Sequence, residues 1–188
     1  MLSVEELKKF EQKVADLFSA KLIRGPIHLS GGNEEALIQI FEENVRKGDW
    51  VFSTWRNHYH ALLKGVPADE LLHYLRTKLT MNVCLPEYKF FTSAIAGGIL
   101  PIACGVAAGG NRVHCFVGDM TAHMGIFHEV SEYAAGRDLD LHLYVEDNGF
   151  STDSPTRAVC PAGTPDILTY TYSRTWPHMQ KSPFGGPK

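Results

Sequence analysis

Two oxygen-bearing side chains stand immediately after apolar runs. His114-Cys115-Phe116-Val117 leads into Gly118-Asp119-Met120-Thr121, and the run 139–146 leads into Asp147-Asn148-Gly149-Phe150. Short apolar runs of this kind read as buried strands. In open parallel sheets ligands bind beyond the carboxyl ends of the strands, so the polar residues just past them are the ones placed to do chemistry. Asp119 also opens a helical run, whose first amides attract an anion while its own carboxylate repels one. A hard cation between carboxylate and anion removes the conflict. Mg²⁺ takes an octahedron of oxygens, here the Asp119 carboxylate, the Asn148 amide oxygen, a backbone carbonyl just beyond, and diphosphate and water oxygens. Taken alone, Asp119 reads more readily as a plain helix N-cap.

The elements that must position these residues follow from periodicity. Ser3 and Glu6 form a capping box ahead of Leu7, Phe10, Val14, Leu17 and Phe18, predicting a helix over 4–20 with one buried face. A second amphipathic helix is predicted over 34–46, stopped by Gly48, then a strand over 50–53 and a helix over 68–78. Residues 81–91 have no clear period and read as a surface loop. The Ala- and Gly-rich run 94–109 reads as a tightly packed helix, 121–136 as another, and 139–146 and 166–172 as strands. Strands alternating with helices at this pitch predict an α/β fold, a three-layer α/β/α parallel sheet covered on both faces. At 188 residues the chain fits one domain, assigned to 1–180, with a loose tail over 181–188. Eighteen Lys and Arg against 21 Asp and Glu give a net charge of −3 with no basic run, so no nucleic-acid partner is indicated. No apolar stretch approaches the ~20 residues that span a bilayer and the N-terminus lacks a signal-peptide pattern, so a cytoplasmic protein with no membrane partner is expected. Cys84, Cys104, Cys115 and Cys160 lack any C-x-x-C pairing and read as reduced thiols.

Gly118-Asp119 followed by Asn148 within Glu146-Asp147-Asn148 resembles the thiamine-diphosphate signature, Gly-Asp-Gly followed by Asn-Asn. Further ordered matches over about 24–150 are similar to the alpha subunit of the first component of 2-oxo-acid dehydrogenase complexes. They are Arg24-Gly25-Pro26-Ile27-His28-Leu29, Gly32-Asn33-Glu34-Glu35-Ala36, Thr54-Trp55-Arg56-Asn57-His58, and Gly125 with Glu129 and Ala134-Ala135. The resemblance implies the thiamine-diphosphate-binding fold and Mg²⁺ held by Asp119, Asn148 and the Phe150 carbonyl. It implies Gly118, Met120 and Thr121 beside the diphosphate, and Trp55 and Arg56 on the pyrophosphate, for which the Arg fork is chemically suited. Ala94, Ile95 and Ala96 would offer backbone contacts to the aminopyrimidine, and His28, His58 and His178 would line the reaction channel and handle protons or the substrate carboxylate.

The sequence also departs from that pattern. Met120 replaces the second glycine, placing a long side chain where backbone approaches the diphosphate, and Trp55 replaces a tyrosine, keeping a donor but changing its reach. Only about twenty residues separate the Asn motif from the final Tyr-Arg-His stretch, so surfaces built by a longer segment in the relatives are expected to be absent. The glutamate that activates the cofactor lies on a pyrimidine-binding domain, which is expected on a separate beta-type chain, in an α2β2 assembly or around a homodimer core. The implied function is that of an oxidoreductase or decarboxylase subunit acting on a 2-oxo acid, or a related acyl or aldehyde transfer, inactive without its partner. Two other readings stand beside it. One is a non-catalytic binding or assembly module; the other is a subunit of another thiamine-dependent decarboxylase or transketolase-like enzyme, which should lack the Trp55-Arg56-Asn57-His58 segment.

Overall fold

The computed structural model describes residues 2–162 and 167–178. The chain starts with α1 (Val4–Ser19), capped as its sequence predicts: Glu6 N–H donates to Ser3 Oγ at 3.2 Å and Ser3 N–H donates to the Glu6 carboxylate at 2.8 Å. Then follow α2 (Glu34–Asn44), β1 (Trp50–Ser53), α3 (His58–Leu63), α4 (Ala68–Thr77), β2 (Cys84–Leu85) and β3 (Phe90–Thr92). After them come α5 (Ile99–Ala108), β4 (Val113–Gly118), the single turn α6 (Asp119–Ala122), α7 (Gly125–Gly136) and β5 (Leu141–Asp147). The hairpin strands β6 (Phe150–Ser151) and β7 (Ser154–Pro155), the turn α8 (Thr156–Val159) and β8 (Thr169–Thr171) complete the described part.

Six strands form one sheet in the order β2-β3-β1-β4-β5-β8, parallel throughout except where β2 adds antiparallel to β3 at the edge. Strand alternation sends side chains to two cores. Val51, Phe90, Phe116 and Tyr144 join the apolar faces of α1 to α4, while Phe52, Val113, Cys115, Val117, Leu143 and Val145 join α5 and α7. The sheet is therefore covered on both faces, as the alternation of elements predicts. The connection after β1 leads to β3 on one side, and the chain then returns to place β4 on the other. Loops leaving the carboxyl ends of β1 and β4 diverge, which opens a crevice between them. Among the described residues no helix is long and apolar enough to cross a membrane, and the four cysteines are free thiols.

Several elements differ from their sequence expectation. The stretch 81–91 is not a loop: β2 and β3 pair around a 3-10 turn at Pro86–Tyr88, and Lys89 takes a left-handed φ of 52° to reverse the chain. Pro86 and Lys89 interrupt the alternation that would have signalled these two short strands. The helix expected from 94 begins only at Ile99, because Gly97 adopts φ +72° and holds 94–98 in a turn. The helix expected over 121–136 is two helices, broken where Met124 turns extended. The short helix α3 escaped the periodicity because it is buried nearly all round, His58 to Leu62 in succession, so no apolar stripe alternates with a polar face. The expected tail 181–188 lies outside the described residues.

At the end of the sheet away from the crevice, His114 is wholly buried between Tyr144 OH and the Asp49 carboxylate, each 3.1 Å from a ring nitrogen. Its ring stacks on His142 at 5.0 Å, and Arg112 lies 3.7 Å from Asp49. Burial holds the His114 pKa down at about 4 against the pull of Asp49. The native state therefore keeps this imidazole neutral while the unfolded chain protonates it near its ordinary value. Its contribution is fully present above about pH 6.5 and lost as pH falls toward 4, up to about 3 kcal/mol. Urea unfolding at pH 7.5 and 4.5 should show a steeper loss of stability in the parent chain than in His114→Gln; parallel losses would refute this assignment.

Candidate functional site

The crevice between β1 and β4 holds a cavity of about 150 Å³. Thr54, Trp55 and Arg56 enter it from the end of β1. Gly118 and Asp119 come from the end of β4, and Met120, Thr121 and Met124 from α6 and the break behind it. Glu146 and Asn148 arrive from the end of β5, Phe150, Ser151 and Thr152 from the hairpin, and Ala96 and Tyr172 close the remaining walls. The two strand-end motifs singled out in the sequence thus meet the Trp55-Arg56 pair in one place.

The cavity's acidic side is built around Asp119, whose carboxylate is buried and accepts the Thr156 hydroxyl at 2.5 Å. Burial raises its pKa above the ordinary carboxylate value, and the neighbouring Asp147 adds to the rise while Thr156 opposes it. Asn148 donates its amide N–H to Tyr172 OH at 3.2 Å, which turns Oδ1 the other way, where it accepts Phe150 N–H at 3.1 Å with a second lone pair to spare. Glu146 is committed elsewhere: its Oε1 accepts Asn33 Nδ2 at 3.1 Å and the Tyr170 hydroxyl, with His60 Nε2 at 3.3 Å. Among the described residues no three His, Cys, Asp or Glu side chains converge as a metal-holding group. A cation here would pair the Asp119 carboxylate with neutral oxygens and draw the rest of its shell from a ligand or water, a donor set that suits Mg²⁺.

The opposite wall is rich in donors. Trp55 Nε1 and Arg56 Nε are buried and have no hydrogen-bond partner among the described residues. Arg56 Nη2 lies 3.3 Å from both His178 Nδ1 and the His178 carbonyl oxygen. Leaving a buried donor unpaired costs about 1–3 kcal/mol, and both of these residues line the cavity. Donors on one wall and a carboxylate on the other fit an anion bridged to Asp119 by a cation.

Of the three candidate histidines, two meet. His28 Nε2 lies 3.4 Å from His178 Nε2, with the rings edge to face at 4.7 Å, and His28 tilts against Trp55 at 5.8 Å. Arg56 can only donate, so His178 Nδ1 accepts; Nε2 then carries the proton and donates to His28. Burial, with His178 and Arg56 nearby, holds His28 down at about 3, and burial and Arg56 also lower His178. His58 is placed differently. It is wholly buried, its Nδ1 lies 2.7 Å from Glu11 Oε1, and it does not line the cavity. Ala94 and Ile95 also stand outside the lining, and their N–H groups are taken by Asn82 Oδ1 and Ser93 Oγ. Ile95 projects into solvent at 71% exposure.

Sequence reasoning did not single out Met124, Thr156, Tyr172 or Glu146 as site residues. Glu146 and Tyr172 carry a readable signal, since each is a polar residue at the end of a strand. Thr156 carries none, because only the hairpin's fold returns it to Asp119. The pair Gly31-Gly32, readable as a simple turn, makes room for the backbone of Ser173.

A protein-family model described as the dehydrogenase E1 component matches residues 3–162. The chain is similar to the alpha subunit of an acetoin:2,6-dichlorophenolindophenol oxidoreductase from Bacillus subtilis (strain 168), 30% identical over 166 residues, covering 80% of this chain and 50% of that protein. It is similar to the chloroplastic pyruvate dehydrogenase E1 component subunit alpha-3 of Arabidopsis thaliana, 30% identical over 163 residues, with 75% of this chain and 38% of that one covered. The pyruvate dehydrogenase E1 component subunit alpha of Rickettsia felis is 29% identical over 161 residues, at 77% and 49% coverage. The chain spans about half or less of the length of these curated relatives.

The geometry makes Asp119 a poor residue for stability and a good one for ligation. Asp119→Asn removes a buried charge yet leaves an oxygen for Thr156, so without added ligand its melting temperature should equal or exceed that of the parent. A structural role alone would instead lower it by about 2–4 °C, which differential scanning calorimetry resolves.

Proposed function

Because the chain belongs to the dehydrogenase E1 component family, we propose that it binds Mg²⁺ and the diphosphate of thiamine diphosphate in this cavity, as the alpha-type part of a two-chain 2-oxo-acid dehydrogenase or decarboxylase. The observation that carries this reading is that Trp55 and Arg56, whose buried Nε1 and Nε have no hydrogen-bond partner among the described residues, line one small cavity together with the buried Asp119. Asp119, the Asn148 amide oxygen and the Phe150 carbonyl would hold the cation, with Gly118, Met120 and Thr121 beside the diphosphate. When bound, thiamine diphosphate supplies the carbon nucleophile and electron sink on which 2-oxo-acid decarboxylation depends.

The remaining roles fall to this chain's own side chains. Arg56 and Trp55 orient the anion by charge-assisted and neutral hydrogen bonds. His178 and His28, both neutral at physiological pH, sit in series behind Arg56 and are placed to hold or pass a proton at the reacting end. His58 supports them from the core through Glu11. The cavity is smaller than the ~300–1,000 Å³ of sites that enclose a whole ligand, so the rest of the cofactor must lie against further surface. The exposed rim at Ile95 and Ala96, which borders the cavity through Ala96, is where a beta-type chain carrying a pyrimidine-binding domain would complete it.

One observation favours a second reading, a binding module without turnover: the Met120 side chain lines the cavity where the diphosphate would lie. Met is unbranched and flexible, so it can fold aside at modest cost, and the first reading survives it. Calorimetric titration of thiamine diphosphate with and without Mg²⁺, on the chain alone and mixed with a beta-type partner, separates the two. Binding should require Mg²⁺, weaken at least about tenfold in Asp119→Ala and in Arg56→Met, and tighten in Met120→Gly. Absence of Mg²⁺-dependent binding by a well-formed complex would sink the enzyme reading and leave the module.

A further inference from the structure

Past β8 the chain runs as an irregular strap, Tyr172 to His178, across the crevice end of the sheet, and three attachments fix its course. At its start Tyr172 N–H donates to the Asp147 carbonyl at 2.9 Å and Tyr172 OH accepts from Asn148. In the middle Arg174 donates to the Thr152 carbonyl at 2.7 Å and to Asp153 Oδ1 at 3.1 Å, with its guanidinium 5.1 Å above the Phe150 ring. On the other flank Thr175 N–H donates to the Gly31 carbonyl at 3.2 Å, and Trp176 packs against the core of α1 to α4. The strap then delivers His178 to Arg56 and His28.

Its seat on the Gly31-Gly32 turn tolerates no side chain. Gly32 has φ +95°, and a Cβ there would sit 2.0 Å from the Ser173 carbonyl oxygen; one at Gly31 would sit 2.9 Å from Thr175 Cβ. The turn itself is anchored from below. Gly32 N–H donates to the Glu34 carboxylate at 3.1 Å, and Ser30 N–H to the buried Glu11 at 2.8 Å. Neither glycine lines the cavity, and neither does Arg174, so no role at the cofactor explains them. What they share is a part in seating the strap: Gly32 lies under Ser173, and Arg174, within the strap, ties it to Thr152 and Asp153.

We propose that Gly32 and Arg174 are positioning residues that seat this strap from opposite sides, so that His178 is held against His28 and Arg56. The assignment deepens the proposed function, resting on its reading of His28 and His178 as the groups behind the cofactor's reacting end. Neither residue touches a ligand; each acts through His178. Loss of either attachment frees the strap, uncovers His28 and removes the neighbour that helps keep it neutral.

Gly32→Ala, Arg174→Gln and the control Gly48→Ala, in the full 188-residue chain, test the idea by amide hydrogen exchange and by NMR titration of the histidine rings. Gly48 is exposed and a Cβ there meets nothing, so its variant should match the parent in both measurements. In the two test variants the Thr175 amide should exchange at least about tenfold faster, and the His28 ring, neutral below pH 5 in the parent, should begin to titrate toward its ordinary range near 6.5. Unchanged Thr175 protection or an unchanged His28 titration in Arg174→Gln overturns the proposal, and that variant decides alone should Gly32→Ala not fold. No cofactor enters either measurement. A strap that behaves as stated in a chain that binds no thiamine diphosphate therefore sinks only the functional reading, and the reverse result sinks only this one.

Discussion

β1 and β4 lie side by side and parallel, in register from Trp50 opposite Val113 to Phe52 opposite Cys115, while the connections that leave them go opposite ways. Parallel pairing aligns both carboxyl ends at one rim of the sheet, and divergent connections keep any loop from filling the gap between them. Trp55-Arg56 and Gly118-Asp119 face each other for that reason. Reversal of either strand would move its motif to the rim where His114 and Asp49 now sit. The cores on the two faces matter to the site chiefly because they fix this pairing: Phe52 and Cys115 pin it from the α5 and α7 side, Val51 and Phe116 from the other.

Two buried glutamates then do for the loops what the strands do for the motifs. Glu11, 1% exposed on α1, ties the 28–32 segment and α3 together through Ser30 and His58, and Glu146 ties Asn33 to β8 through Tyr170. A buried carboxylate is costly unless its lone pairs are met; in both glutamates one oxygen takes donors from separate elements, while Glu11 Oε2 has no partner among the described residues. The carboxylates therefore act as clamps: each is stable only while all the elements that supply its donors remain in place. Asp119 contrasts with both. Its partners are few, and it faces a cavity.

The sequence disclosed those parts of this arrangement that depend on local pattern. The α1 capping box, the apolar stripe of α1, strand β1 and the polar residues ending β4 and β5 all declare themselves within a few residues of chain. Features set by distant partners stayed hidden. β2 and β3 are too short to show a period and exist because Phe90 pairs with Val51; α3 buries imidazoles whose acceptor at His58, Glu11, lies on another helix. Thr156 reaches Asp119 only through the hairpin. Ala94 and Ile95 read as backbone contacts to the cofactor, and their amides are bonded to Asn82 and Ser93, partners that the sequence did not signal. Gly31-Gly32 looked like an ordinary turn because its reason, the strap at Ser173, arrives more than a hundred residues later.

The unpaired donors bear on whether the site is in use. Trp55 Nε1 and Arg56 Nε each forgo about 1–3 kcal/mol as buried groups without partners, in a fold whose whole margin is about 5–15 kcal/mol. Phe at 55 or Met at 56 would be apolar and free of that penalty, and the Asp119 carboxylate likewise sits where burial disfavours its charge. Each of the three groups carries a cost of burial, and the three residues line one cavity of about 150 Å³. A cation joined to an anion satisfies them together: the anion accepts from the donors and the cation compensates the carboxylate. Met120 narrows the same space, but a flexible thioether is displaced far more cheaply than two orphaned N–H groups are sustained. On the proposed function, these are the costs that a metal-bridged diphosphate would relieve together.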